Sequence, residues 1–483
     1  MIKNKIDQIR FSCITSILIL LLASPSLRAE LDLSLPDYNL PDIGVSSVAT
    51  VSYAKERKIG LKVLREIRAS HRVIEDLEIS AWIRSLGNRL SARSPHSTNP
   101  FYFVVVKDKA VNAFATLGGV IVVNSGLILE TDSESELAAV LSHEIAHVTQ
   151  RHIARMVEKS RKNTIGTGLA ILAGVLASSK SADAGQAIIT GAIAVQAHKA
   201  LSFSREAEAE ADRVGLRILA SSGFNPMAMP IFLQKLESQF AGANSNANEY
   251  LRSHPLTIAR VSGTRSSALK YGKFRGKSHD KTYFYMKEKI RSLLRTTGKQ
   301  SIIPKTIPTN IRRYANGLRL LRQGQSGGVI KLMGVKNSNK SEALLIAEAL
   351  LMQHKYQQVI VLLTPLMRLY PGENALIIPL ANAYLGLQQP QKAWRLMKPI
   401  VLSEQSSLIF FEVLQNVARQ QGLRGAAYRA VAERNLRVGN YKAAIAQLRQ
   451  AMKSVDISGE ELRYLQYLLD RTKIEKKEER GEY

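Results

Sequence analysis

Cysteine is nearly absent from this 483-residue chain: Cys13 is the only one, so no internal disulfide and no cysteine-rich metal site can form. Acidic residues are outnumbered, with 40 Asp and Glu against 67 Lys and Arg and a formal net charge of +27. That imbalance nominates an acidic partner, an anionic membrane or nucleic acid without choosing among them. The run 11–23 is apolar but shorter than the roughly 20 residues a membrane span needs. What is present is a 45% hydrophobic fraction, which excludes wholesale disorder. At about 100–200 residues per domain, the length predicts two or three domains.

Lys3, Lys5 and Arg10 stand at the start of the apolar run, and Ser24-Pro25-Ser26-Leu27-Arg28-Ala29 follows it. This is the layout of a secretory signal peptide cut after Ala29, so the chain is expected to be exported. Residues 46–93 read as helices, one of them marked by Ile79, Ile83, Leu86 and Leu90 at helical spacing. Alternation at 101–105 predicts a strand, and 112–127 predicts two short strands turning at Gly118-Gly119, then a helix. A single long helix is expected over 133–161, with Glu134 and Glu136 in its first turn. The stretch 163–203 is apolar in two pieces, each too short to span comfortably. It reads as a helical hairpin on its own domain, or as a lid or surface touching membrane.

Beyond a basic segment, the chain reads as wholly helical. Helices are expected near 310–323, 341–354, 356–370, 374–387, 390–402, 406–421, 424–437 and 441–454. Lys355-Tyr356-Gln357-Gln358-Val359 and Gln389-Pro390-Gln391-Lys392-Ala393 stand 34 residues apart. That period resembles tetratricopeptide repeats, whose stacks make concave protein-binding surfaces. Gly439-Asn440-Tyr441-Lys442-Ala443-Ala444 is a third copy, slipped by half a period.

His143-Glu144-Ile145-Ala146-His147 is an H-E-x-x-H motif on a predicted helix. The spacing of four sets both imidazoles on one face, one turn apart, so that they can share a metal. Glu144 can sit beside the metal-activated water as general base. Imidazoles with a carboxylate in an exported hydrolase favour zinc. A third ligand is needed. The metzincin pattern fails, because Gln150 and Ile153 stand where Gly and His are required. A ligand about two dozen residues downstream falls in a run without acids. The next acidic helix holds Glu208 and Asp212, four apart on one face. Glu208 can ligate and Asp212 can orient a histidine; the alternative is a solvated acidic face. His152 has no spacing to the same metal and reads as a surface residue. His71, His96, His198, His279 and His354 carry no spacing argument either.

His143-Glu144-Ile145-Ala146-His147 with Glu208-Ala209-Glu210-Ala211-Asp212 resembles the zinc endopeptidase family of the CAAX prenyl proteases and bacterial stress-response membrane proteases. Asn112-Ala113-Phe114-Ala115, Gly118-Gly119 and Asn124-Ser125-Gly126-Leu127 resemble that family's strand pair ahead of the zinc helix. The resemblance implies one Zn2+ per chain on His143, His147 and Glu208, with Glu144 and Asp212 in the catalytic set. Ser253-His254-Pro255 resembles the family's His-Pro segment and implies that His254 closes the site as a fourth, displaceable ligand; the alternative is a histidine capping the following helix.

The fold implied is mainly α: an α+β zincin-like (gluzincin) domain with a small β-sheet, then an all-α tetratricopeptide-like array. The expected layout is a signal peptide at 1–29, a metalloprotease domain at 30–270, a basic connecting segment at 271–308, the repeat array at 309–473 and a charged tail at 474–483. The combined layout resembles the family's periplasmic members of Gram-negative bacteria. It implies outer-membrane β-barrel proteins and their assembly machinery as partners, and degradation of misassembled barrels. Gly119, Val120, Ile121 and Val122 are expected to pair with an extended substrate strand. The alternative is an assembly chaperone acting through the repeats with proteolysis latent. Export and the lack of any nucleic-acid motif argue against nucleic acid; peripheral membrane contact through 163–203 stays open.

The charge has an address. Segment 30–260 holds 25 basic and 23 acidic residues, 261–300 holds 11 and two, and 301–483 holds 27 and 14. The basic excess therefore belongs to the repeat half, which is expected to dock on an acidic surface in a salt-sensitive way.

Overall fold

The first helix in a computed structural model of the chain, α1 (Tyr53–Ala69), starts where the Ser52 hydroxyl accepts from the Lys55 N–H. Asp76 caps α2 (Leu77–Ser91) through the Glu78 and Ile79 N–H groups. The structure describes residues 51–70, 72–95, 100–162, 203–240, 248–274, 280–294, 307–334, 339–400 and 402–480. The expected signal peptide and nearly all of the apolar stretch 163–203 lie outside the described residues. Among the described residues, no helix is long and apolar enough to cross a membrane.

Three strands form the sheet: β1 (Tyr102–Val106), β2 (Ala113–Ala115) and β3 (Val120–Asn124), in the order β1-β3-β2. β1 runs parallel to β3 with Val104 beside Val122, and β2 runs antiparallel to it with Phe114 beside Val122. Both faces are covered, which is why the strands read as near-continuous apolar runs. Tyr102, Val104, Val120 and Val122 pack on Val63, Leu64 and Ile67 of α1. Phe103, Val105, Ile121 and Val123 enter the core with Ile79, Ile83, Leu86 and Leu90 of α2. The turn between β2 and β3 passes through Gly118 and Gly119 at φ 76° and 80°, and a Cβ at Gly118 would lie 2.4 Å from the Glu56 carbonyl oxygen.

Helix α3 (Ser125–Glu130) follows β3, and Ser133 caps α4 (Glu134–Thr149). The expected single helix over 133–161 is instead two. Arg151 takes a left-handed φ of 53°, and α5 (His152–Lys162) restarts after it. The break turns the Arg151 guanidinium inward, 2.6 Å from Glu56 and over the Tyr53 ring.

Four helices complete this half: α6 (Arg205–Ser221), α7 (Ala228–Phe240), α8 (Asn248–Ser253) and α9 (Ile258–Leu269). The basic segment 271–308 is not simply extended chain. Within it, α10 (Asp280–Leu294) buries Tyr283, Met286 and Ile290.

Ten helices follow: α11 (Thr309–Arg322), α12 (Ser326–Met333), α13 (Lys340–Met352), α14 (Tyr356–Leu369), α15 (Asn374–Gly386), α16 (Pro390–Met397), α17 (Leu408–Gln420), α18 (Arg424–Arg437), α19 (Tyr441–Met452) and α20 (Gly459–Arg480). Eight of them stand where the sequence predicts helices. α16 ends early, at Met397; Lys398 keeps helical backbone as its C-cap, and Pro399, which has no backbone N–H, cannot continue the helix. α12 and α20 are additions. Gly327 and Gly328 mask α12 in the sequence, and burial of Val329 and Met333 holds it. α20 carries the expected charged tail in helical form through Arg480.

Candidate active site

The site is built where α4 lies against α6. Gly215 permits the approach: a Cβ there would sit 3.1 Å from the His143 Cα and N. His143 and His147, one turn apart on α4, thereby face Glu208 on the first turns of α6. Their Nε2 atoms stand 2.9 Å apart, and each lies 3.4 Å from a Glu208 carboxylate oxygen. His254, in the link between α8 and α9, puts its Nδ1 3.3 Å from His143 Nε2 and 3.1 Å from Glu208. All four side chains are buried, and their donor atoms lie within 4.8 Å of one another.

These spacings fit a metal ion. Four ligands at about 2.0–2.1 Å around a tetrahedral zinc stand roughly 3.3 Å from each other. The protonation pattern points the same way. His143 Nδ1 lies 3.0 Å from Asp212, which must accept its hydrogen. His147 Nδ1 lies 2.8 Å from His152 Nδ1. With hydrogens on both Nδ1 atoms, the two Nε2 lone pairs converge, an arrangement that a shared cation stabilises. Burial pushes the His147 imidazole well below its usual value against the pull of Glu208, whereas at His143 burial is outweighed by Asp212 and Glu208, which raise it to about 10.

Glu144 follows His143 directly and is fully buried. Its Oε2 accepts the Ala115 N–H at 3.0 Å, while its Oε1, 3.4 Å from His254 Nε2, has no hydrogen-bond partner. Burial raises its carboxyl, opposed by His254 and His143. Asp212 is held in the charged form: burial works against it, but hydrogen bonds from Arg260 and His143 prevail.

The structure thus brings together five of the expected residues, His143, Glu144, His147, Glu208 and His254, with Asp212 directly behind His143. His254 does not cap the following helix; Thr257 caps α9. Two expectations fail. Gly119 is buried in the turn, and Val120, Ile121 and Val122 are buried on the central strand; both edges of β3 are already hydrogen-bonded, so β3 cannot take up a substrate strand. His152 is not on the surface. It is 3% exposed and packed on His147, because the break at Arg151 redirects it.

Sequence reasoning missed Arg260. From α9 it makes two hydrogen bonds to Asp212, at 2.7 and 2.8 Å, and its Nη1 lies 2.7 Å from Glu208. Its guanidinium therefore ties both acidic residues of α6 in place. No local spacing signals it, since α9 is distant in sequence. Phe203 stacks on His147 and Tyr250 on His254, closing the site with apolar rings.

Comparison with known proteins places this geometry in a family. The family model for peptidase family M48 matches residues 78–268, which contain every side chain of the site. A beta-barrel assembly-enhancing protease of Yersinia pestis is 33% identical over 92% of this chain and 94% of its own length. The chain belongs to peptidase family M48. A beta-barrel assembly-enhancing protease of Escherichia coli strain K12 is 31% identical, covering 86% of this chain and 88% of that relative. The mitochondrial metalloendopeptidase OMA1 of Arabidopsis thaliana is 35% identical over 32% of this chain and 28% of its own. As a family member with the buried histidine-carboxylate group intact, the chain is a zinc metalloendopeptidase. Its fold is the expected one: a small sheet in a mainly helical catalytic part, then a helical region.

Proposed function

We propose that this chain is an exported, periplasmic zinc endopeptidase that cuts outer-membrane β-barrel proteins whose assembly has stalled, while its helical array holds them or their assembly machinery. The observation that carries the reading is the convergence of the His143, His147 and Glu208 donors, with the buried Glu144 next to His143 and its Oε1 3.4 Å from His254 Nε2. Those three residues would hold zinc, with His254 as a fourth donor. Zinc, when bound, supplies Lewis acidity that acidifies water and polarises the scissile carbonyl.

The protein residues then have distinct tasks. Glu144 Oε1 accepts the proton of the attacking water and later delivers it to the leaving amine, so that water adds across the C–N bond. The Ala115 N–H fixes the other carboxylate oxygen and leaves Oε1 free for this exchange. Asp212 accepts from His143 Nδ1 and fixes that ring's tautomer. His254 closes the site together with Tyr250, and a substrate must displace it. Strand addition by an extended substrate passes to β2. The Thr116 N–H bonds Val120 and the Asn124 N–H bonds Asn112, so Ala113 and Ala115 turn their backbone groups to the outer edge; the Ala115 N–H is taken by Glu144, which leaves the Ala113 groups and the Ala115 carbonyl for a substrate.

The client class rests on the relatives named for β-barrel assembly enhancement, which match along most of their length. Export rests on the signal-peptide pattern, and the array at 309–473 is read as tetratricopeptide-like repeats behind the connecting segment 271–308. An acidic partner fits a groove between α19 and α20 lined by Lys442, Arg449, Lys473, Lys476 and Lys477.

The test is Glu144→Gln in the full-length protein, assayed on an unfolded β-barrel protein. Cleavage is expected to fall by about 10²–10⁴-fold, with zinc content unchanged. Cleavage at the native rate would remove Glu144 as general base. Lost cleavage with barrel assembly intact would favour the chaperone reading.

A further inference from the structure

We propose that His152 is a positioning residue for His147, the middle of a hydrogen-bonded line from His147 through His152 to Glu210. The inference rests on His147 being a zinc ligand and extends that reading to a histidine outside the H-E-x-x-H motif.

Geometry assigns every proton on the line. His147 turns its Nε2 to the other donor atoms, 2.9 Å from His143 Nε2. A ligand imidazole bound through Nε2 carries its hydrogen on Nδ1. That Nδ1 lies 2.8 Å from His152 Nδ1, and two N–H groups cannot face each other across this distance. His152 Nδ1 is therefore the acceptor, and its own hydrogen lies on Nε2. That Nε2 lies 3.1 Å from Glu210 Oε2, which accepts. Arg155 Nη2 donates to the same oxygen at 2.8 Å. The two rings meet nearly at right angles, with an interplanar angle of 76°. Phe203 stacks on the face of His147 and restricts its rotation.

The helix break is what makes the line possible. On an uninterrupted helix, positions 147 and 152 would point about 140° apart, at about 100° per residue. The left-handed Arg151 ends α4, and the Arg151–Glu56 pair anchors the bend. His152, first residue of α5, then folds back over His147, while Arg155 follows one turn later on α5 beside Glu210 of α6. The two metal-binding histidines are thus oriented differently. His143 is held directly by a carboxylate, Asp212. His147 is held by a neutral imidazole with its carboxylate one step further out.

The measurement is zinc affinity, read by competition with a chromophoric chelator, on full-length wild type, His152→Phe, His152→Asn and Glu210→Gln. Loss of an orienting partner typically weakens metal binding 10–100-fold, and His152→Phe should do so because it fills the space without an acceptor. His152→Asn can place its carbonyl oxygen near the Nδ1 position and should recover binding to within a few-fold of wild type. Glu210→Gln, at a partly exposed position, should weaken it by a smaller factor. In cobalt-substituted protein, the visible absorption of His152→Phe should shift while that of His152→Asn stays close to wild type. Wild-type zinc affinity in His152→Phe, or equal losses in the Phe and Asn variants, would overturn the proposal. If His152→Phe does not fold, Glu210→Gln decides: unchanged affinity there counts against the line. His147→Ala is the control on the underlying reading. Unchanged zinc binding in that variant would mean that His147 is not a ligand, an outcome separate from failure at His152.

Discussion

Arg260 shows what a single side chain can carry in this site. It faces two carboxylates, Asp212 and Glu208, both buried and both on α6. Removing the guanidinium leaves two anions without their main countercharge, and breaking one partner of a buried pair costs about 3–5 kcal/mol. We expect Arg260→Leu to lose stability of that order in urea unfolding of the metal-free protein. Part of the loss should return on adding zinc, because a bound cation stabilises the folded form by mass action. Arg260→Leu as stable as wild type without metal would mean that the two acids are not held charged by this contact. The residue scale also divides what the sequence could and could not say. His143, Glu144 and His147 were legible because one helical turn brings them together. Glu208 and Asp212 were legible as an i, i+4 pair once a third ligand was required. Arg260 was not, because its partner Asp212 lies 48 residues away on another helix. His152 was misread because the expected helix over 133–161 gave no reason to bend.

At the scale of elements, the decisive contact is α4 against α6. Gly215 lies opposite the backbone of Ser142 and His143, and the distance from an added Cβ, 3.1 Å, is shorter than ordinary packing. A larger residue must push the helices apart, and overpacking of this kind costs typically 1–3 kcal/mol. The same displacement moves Glu208 away from the two histidines. Gly215→Val should therefore lower both thermal stability and zinc affinity, whereas a purely local packing defect would lower stability alone. Calorimetry and chelator competition on one preparation separate the outcomes. The strands teach a related lesson. The pair turning at Gly118-Gly119 was readable from composition, and so was β1. Their order was not, because β1 joins β3 in parallel across the intervening β2, and nothing in the local pattern fixes which strand is central. For the same reason the expectation placed the substrate on β3, whereas the edge we propose for it is on β2. In the helical half, turns with Gly, Asn and Pro at regular spacing made most boundaries legible, whereas α12 is held by burial against an unfavourable Gly327-Gly328 pair.

Across the whole molecule, the catalytic half and the helical array share a polar seam. Arg65 of α1 donates to Tyr441 at 2.8 Å and pairs with Glu475 at 3.1 Å, while Arg68 donates to the Glu404 carbonyl at 2.7 Å. Ser407 and the Leu408 N–H both bond Glu75, and Gln405 bonds the Phe101 carbonyl. The Glu404 carboxyl sits among Arg65, Arg437, Arg471 and Arg68. Burial alone would raise its pKa, but the four cations outweigh it and hold the group below its ordinary 4.5. A carboxyl whose folded pKa is depressed contributes stability above its unfolded pKa, and that contribution fades as pH falls towards the folded value. The seam should therefore weaken on acidification below about pH 4.5, the unfolded value. Glu404→Gln should be less stable than wild type at neutral pH, and the gap between the two melting temperatures should stay level down to about pH 5.5 and narrow as the pH falls below about 4.5. A gap that stays constant below about pH 4.5 would show that the Glu404 charge contributes nothing to the seam. A gap that widens would mean its pKa is raised, contrary to the arginine cluster around it.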